Sequence, residues 1–239
     1  MLFSGVLGND GRWLASKKVT EPALESLFDT VDTVLKSADL ELGQIRSYIY
    51  CEGPGSVLGL RLCAMAVETW RRIHPNPTGI FAYNSLELVA AGLVQEGEVQ
   101  AEALLISDWK QDTWNGLKIT PGTPERVAPV STCELSAWEG RLYHLPARKG
   151  WQNPPENAVE VAYEPERLAT LVATPELIQR RESVALYNSG VNTFQKWTAQ
   201  RHGAISQPVR DDENRSPASE PPSGGNNGRT LQNHNLPRP

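Results

Sequence analysis

Apolar positions recur along this chain in two alternating rhythms. Leu2–Leu7 and Arg12–Val19 are short apolar-rich runs around Gly8-Asn9-Asp10-Gly11, a turn cluster ending in Asp-Gly, and they predict a β-hairpin. Leu24, Leu27, Phe28, Val31, Val34, Leu35 and Ala38 then return every three or four residues. That is the spacing of an amphipathic helix, with Thr20 as its cap and Pro22 in its first turn. Tyr48-Ile49-Tyr50-Cys51 suits a buried strand, and Gly53-Pro54-Gly55 breaks it. Ser56 is a good N-cap for a second helix, whose stripe runs Leu58, Leu62, Met65, Ala66, Thr69, Trp70.

The rhythm continues in the same alternation. Gly79 to Tyr83 predicts a strand, and Asn84 or Ser85 caps a helix through Leu86, Leu88, Val89 and Leu93 toward Gly97. Ala101 to Ser107 predicts another strand, paired as a hairpin with Thr113 to Ile119. Between Pro121 and Pro155 prolines and turn residues are dense, and only Gly140 to Leu145 reads as a strand. Glu166 to Val172 and Thr174 to Tyr187 read as helices, the second opened by a cap and a proline in Thr174-Pro175-Glu176. From Ile205 to Pro239 the chain turns to Pro, Ser, Asn, Gly and charge, which predicts a disordered tail. Strands alternating with helices make the class α/β.

Composition narrows the function. A net charge of −5 argues against the clustered Lys and Arg that a nucleic-acid surface needs. Cys51, Cys63 and Cys133 are odd in number and lack C-x-x-C spacing, as expected of reduced thiols rather than a disulfide frame or a zinc site. No apolar run approaches the roughly 20 residues of a membrane span. Met1-Leu2-Phe3 carries no basic segment of the secretory kind, so the expected compartment is the cytoplasm.

The chemistry-bearing stretch is Gly53 to Arg61. A strand, a glycine turn and a helix N-terminus are suited to cradling a phosphate. The Gly-Lys-Ser/Thr of a phosphate loop is absent, and the third glycine, Gly59, falls one residue late for a dinucleotide fingerprint. A tight turn packed on the sheet is the plainer expectation, with ATP as the alternative and otherwise no cofactor. Ser56 does not fit a nucleophile elbow, because Gly55 is adjacent and Gly59 three residues on. His74, His144 and His202 form no His-x-x-x-His pair, so no metal is expected. Arg61 either pairs with a carboxylate in the fold or meets a partner. Trp70, Trp109, Trp114, Trp138, Trp151 and Trp197 lack basic interleaving and read as packing anchors, not a base-stacking platform.

Gly53-Pro54-Gly55-Ser56-Val57-Leu58-Gly59-Leu60-Arg61 resembles the Gly-Pro-Gly-Ser-Phe-Thr-Gly-Leu-Arg signature of the TsaB, or YeaZ, family at seven of nine positions, departing at Val57 and Leu58. Ser85-Leu86-Glu87 stands where that family starts its next helix. Asp108 and Lys110 resemble its Asp-Ala-Arg, and Leu186-Tyr187 with Phe194 to Trp197 resembles its ending. The resemblance spans Met1 to Trp197 and is strongest from Thr20 to Leu88. It implies the actin-like, ribonuclease-H-like fold shared by sugar kinases and heat-shock chaperones. The lobes would be residues 1–103 and 104–204, followed by a tail over 205–239. No Asp-Thr-Ser strand precedes Val6, so it also implies a lobe shortened by its first strand.

The same resemblance implies a non-catalytic subunit that pairs with TsaD, the transferase that places threonylcarbamoyl on tRNA adenosine. The ATPase TsaE would join through the complex, and tRNA would be met only indirectly. The pairing surface would be the helices Thr20–Ala38 and Ser56–Arg72. Its candidate residues are Leu24, Leu27, Phe28 and Val31 on the first helix, and Leu58, Arg61, Leu62 and Met65 on the second. Gly53, Pro54, Gly55, Ser56 and Gly59 would form the turn. Two alternatives stay open: a stand-alone nucleotide-binding or peptidase-like enzyme of the same fold, and a homologue that only pairs with itself.

Overall fold

The first two apolar runs close on each other as the Asp-Gly turn requires. In the computed structural model, which describes residues 1–76, 78–120, 123–147, 152–174 and 176–188, β1 (Leu2–Leu7) pairs antiparallel with β2 (Trp13–Val19). α1 (Ala23–Ser37) follows, packing on both strands of the hairpin. It starts later than the sequence suggests. Thr20 makes no cap; Pro22 is the N-cap residue with no side-chain cap, and its carbonyl accepts from Glu25 N, Ser26 N and Ser26 Oγ. Pro22 has a ψ of 139, outside the helical range, so it stands at the boundary and the helix begins at Ala23.

β3 (Ser47–Gly53), α2 (Val57–Ile73) and β4 (Gly79–Asn84) form a parallel crossover unit, with Tyr48 opposite Ile80 and Tyr50 opposite Ala82. α3 (Ser85–Gln95) starts directly at the end of β4, where the Asn84 side chain accepts from Leu86 N at 2.9 Å. β5 (Ala103–Lys110) and β6 (Thr113–Thr120) make the second hairpin. The proline-dense region holds more regular structure than its composition advertises. β7 (Thr123–Pro124) and β8 (Ala128–Ser131) both pair with β6, and α4 (Thr132–Ser136) opens on a Ser131–Glu134 capping box. β9 (Arg141–His144) runs parallel to β5, and β10 (Val159–Glu160) parallel to β9. α5 (Leu168–Leu171) matches the predicted helix there.

The other predicted helix, Thr174 to Tyr187, is not one. β11 (Gln179–Arg181) pairs antiparallel with β4, and the chain continues without helix to Asn188. The edge of β4 offers unpaired backbone groups, and pairing with them outweighs a weak local helical preference. The result is a mixed α/β protein with sheets ordered β1-β2, β11-β4-β3 and β10-β9-β5-β6-β7, β8 also lying against β6. The Phe194–Trp197 ending and the tail from Ile205 lie outside the described residues.

Alternation along the strands splits the core. Ala103, Leu105, Leu117, Ile119 and Tyr143 pack on α3 through Leu86, Val89 and Leu93. Leu104, Ile106, Trp114 and Leu142 pack with Leu135 on the opposite face. Tyr48, Tyr50, Ile80 and Ala82 meet Val67 of α2. Of the tryptophans expected as anchors, Trp114 is buried and Trp70, Trp109 and Trp138 are half-buried.

Candidate protein–protein interface

α1 turns an unexpected side inward. The seven apolar positions of its sequence fall on one stripe about 120° wide, and only one edge of that stripe turns inward. Leu27, Thr30 and Val34 are buried, Leu27 packing with Leu2 of β1 and Ala66 of α2. Val31 is half-buried against the same cluster. Leu24 and Phe28 point outward, 66% and 58% exposed. α2 behaves alike: Ala66 and Val67 are buried, Leu62 is half-buried, and Leu58 and Met65 are 67% and 69% exposed. The two helices touch one another. Phe28 stands edge-on to Trp70 at 6.3 Å between ring centroids, and Trp70 in turn lies 6.1 Å from Tyr48. A two-helix layer therefore presents Leu24, Phe28, Leu58 and Met65 to its surroundings, with Val57 and Ile73 also exposed.

Of the eight candidate contact residues, Leu27 is thus committed to the core, Val31 and Leu62 lie half-buried, and four apolar side chains are outward. Arg61 is exposed between Leu58 and Met65 on α2, and no ion pair to it is found among the described residues. Large apolar side chains gathered on one exposed face are the usual mark of a surface that another molecule covers.

The glycine turn sets where α2 begins. Gly53 has φ +117, a backbone region that side-chain-bearing residues rarely adopt, and a Cβ there would stand 3.1 Å from Leu60 Cδ1. Ser56 caps α2, its hydroxyl accepting from Gly59 N at 3.5 Å. A Cβ on Gly59 would sit in ordinary contact with Ala23 Cβ at 3.7 Å, so space does not demand glycine there. The turn is tied from behind by Ser85, whose hydroxyl donates to Pro54 O at 2.7 Å.

Sequence periodicity gave no hint of the charged groups beside this turn. Glu52 pairs with Arg181 at 2.8 Å. Glu87, in the first turn of α3, has its carboxyl pushed above the usual range, by burial first and by the Glu52 charge second, with Arg181 and Arg126 opposing. Their only visible signal was Glu87 in the Ser-Leu-Glu start of the helix; Arg181 lay in a segment predicted as the wrong element. Deeper in, burial pushes the Cys51 thiol up to about 11 and raises the Tyr83 and Tyr163 hydroxyls well above the ordinary phenol. Tyr83 and Tyr163 share a hydrogen bond of 2.8 Å. A thiol so placed is neutral near pH 7 and is a poor nucleophile there. Among the described residues no group of three or more His, Cys, Asp and Glu side chains converges to hold a metal. No helix among them is long and apolar enough to cross a membrane.

No protein-family model matches this chain. No curated protein matches it either. Among solved structures, it is similar to YeaZ from Pseudomonas aeruginosa, with 16% identity over 60% of this chain and 69% of that one, at a TM-score of 0.47. It is also similar to an uncharacterized protein described as having similarity to peptidase YeaZ from Pseudomonas aeruginosa. There the identity is 14% over 72% of this chain and 87% of that one, at a TM-score of 0.49.

Proposed function

We propose that this chain is a TsaB-type scaffold subunit that pairs with a TsaD-like threonylcarbamoyltransferase through α1 and α2. The observation that carries this is the outward apolar face of Leu24, Phe28, Leu58 and Met65 on two helices that pack together. The resemblance at seven of the nine positions from Gly53 to Arg61, a stretch that sets the start of one of those helices, supports it. In this assignment the subunit has an actin-like fold, works in the cytoplasm, needs no cofactor of its own and performs no chemistry. Arg61 meets a carboxylate of the partner, and a TsaE-like ATPase and tRNA are reached through that partner.

The test is co-expression with the TsaD-like protein of the same source, followed by size-exclusion chromatography with light scattering. The wild type is compared with a Leu24→Glu/Phe28→Glu variant. Both residues are exposed, so the variant keeps the wild-type circular dichroism spectrum. A heterodimer formed by the wild type and lost in the variant is the expected result. A wild type that elutes independently of the TsaD-like protein refutes the assignment; a homodimer in its place would identify a second copy as the occupant of the face.

A further inference from the structure

The segment from Gln179 to Asn188 is tied to the rest of the fold at a few discrete points. Gln179, Arg180 and Arg181 pair with β4, as one short edge strand. Beyond it, the Tyr50 hydroxyl both accepts from Ala185 N at 2.8 Å and donates to Ala185 O at 2.7 Å. Tyr187 N donates to Glu52 O at 2.8 Å, and the Tyr187 hydroxyl reaches Val127 O at 3.1 Å. The Arg181–Glu52 ion pair holds the near end. Tyr187 rests on the glycine turn: its Cβ lies 3.6 Å from where a Cβ on Gly53 would be.

From this geometry we infer that residues 179–188 act as a clasp, opening as one unit ahead of global unfolding and uncovering the Gly53–Gly55 turn with the carboxyls of Glu52 and Glu87. Short edge strands with few buried apolar contacts lie at the low end of local stability, whereas β5 and β6 are paired along their length and buried on both faces. The hydrogen bonds that fasten the clasp come from β3: the Tyr50 hydroxyl and the Glu52 carbonyl on its backbone, with the Glu52 carboxylate beside them. The Tyr187 hydroxyl in turn ties the clasp to Val127, in the segment before β8. The clasp is independent of the partner assignment above and stands or falls separately.

The test is residue-resolved hydrogen exchange by NMR on the full chain. In the wild type, the amides of Ala185 and Tyr187 exchange together, at least about tenfold faster than those of β5 and β6. Tyr50→Phe removes both bonds to Ala185 but touches neither Tyr187 N nor its acceptor. If the segment opens as a unit, Ala185 and Tyr187 both accelerate by about tenfold, as expected for loss of one or two ordinary hydrogen bonds, while β5 and β6 stay unchanged. Acceleration of Ala185 alone overturns the clasp, as does exchange of both amides at the β5–β6 rate in the wild type. Should Tyr50→Phe loosen the whole fold, Arg181→Gln at the opposite end is read in the same way. Arg181 is one-third exposed and its side chain bonds neither amide, so unchanged rates at Ala185 and Tyr187 in that variant also overturn the proposal.

Discussion

Leu24 and Leu27 lie three residues apart on α1, and the fold assigns them opposite duties. Leu27 is 4% exposed in the cluster with Leu2 and Ala66, and Leu24 is 66% exposed. Full burial of a leucine side chain is worth about 1.5–3 kcal/mol, and removing it from a packed site adds a cavity term that brings Leu→Ala to about 2–5 kcal/mol. Leu27→Ala therefore costs about 3 kcal/mol. Leu24 has only a third of that burial to lose, so Leu24→Ala costs under about 1 kcal/mol. Urea unfolding followed by far-ultraviolet circular dichroism separates them. With a slope of about 2 kcal/mol per molar, Leu27→Ala lowers the midpoint by about 1.5 M and Leu24→Ala by under about 0.5 M. Equal shifts, or a larger one for Leu24, would refute the inward placement of Leu27 and with it the outward face on which the interface rests.

Other consequences are as direct. Gly53→Ala strains a φ of +117 and drives a methyl toward Leu60 Cδ1, so it costs about 1–3 kcal/mol and lowers the Tm by several degrees in a thermal melt; an unchanged Tm would remove the turn from the structural account. Gly116→Ala would drive a Cβ into Val130 Cγ2, where β6 and β8 are paired, and overpacking of that kind costs about 1–3 kcal/mol by chemical denaturation. Glu87 is harder to ionise in the folded chain than in the unfolded one, so charging it weakens the fold. Its contribution is full at acidic pH and is lost as pH rises through its raised pKa. Glu87→Gln is accordingly more stable than wild type at pH 7, with the gap closing toward pH 4; a gap that widens on acidification would contradict that burial. With its thiol at about 11, Cys51 is ionised to only about one part in a thousand at pH 8, so a disulfide reagent modifies exposed Cys133 first, and comparable rates would show Cys51 to be accessible.

Local pattern determined much of this protein. The Asp-Gly hairpin, the strand into Gly53-Pro54-Gly55, the Ser56 cap, the Asn84 cap and the β5–β6 hairpin all follow from neighbours in sequence, because turn chemistry and periodicity are properties of a few adjacent residues. The nine-residue signature lies in the same stretch. Tertiary structure alone decided which side of α1 faces in. Its apolar positions form one stripe about 120° wide, but which edge of that stripe is buried fell to the position of β1 and α2, which enclose Leu27 and leave Leu24 and Phe28 outside. It also decided that Gln179–Arg181 is a strand, since a free edge on β4 is a partner that no window of ten residues can contain. Glu52, Glu87 and Arg181, over a hundred residues apart at the extremes, meet beside the turn for the same reason: the sheet brings together what the chain keeps apart.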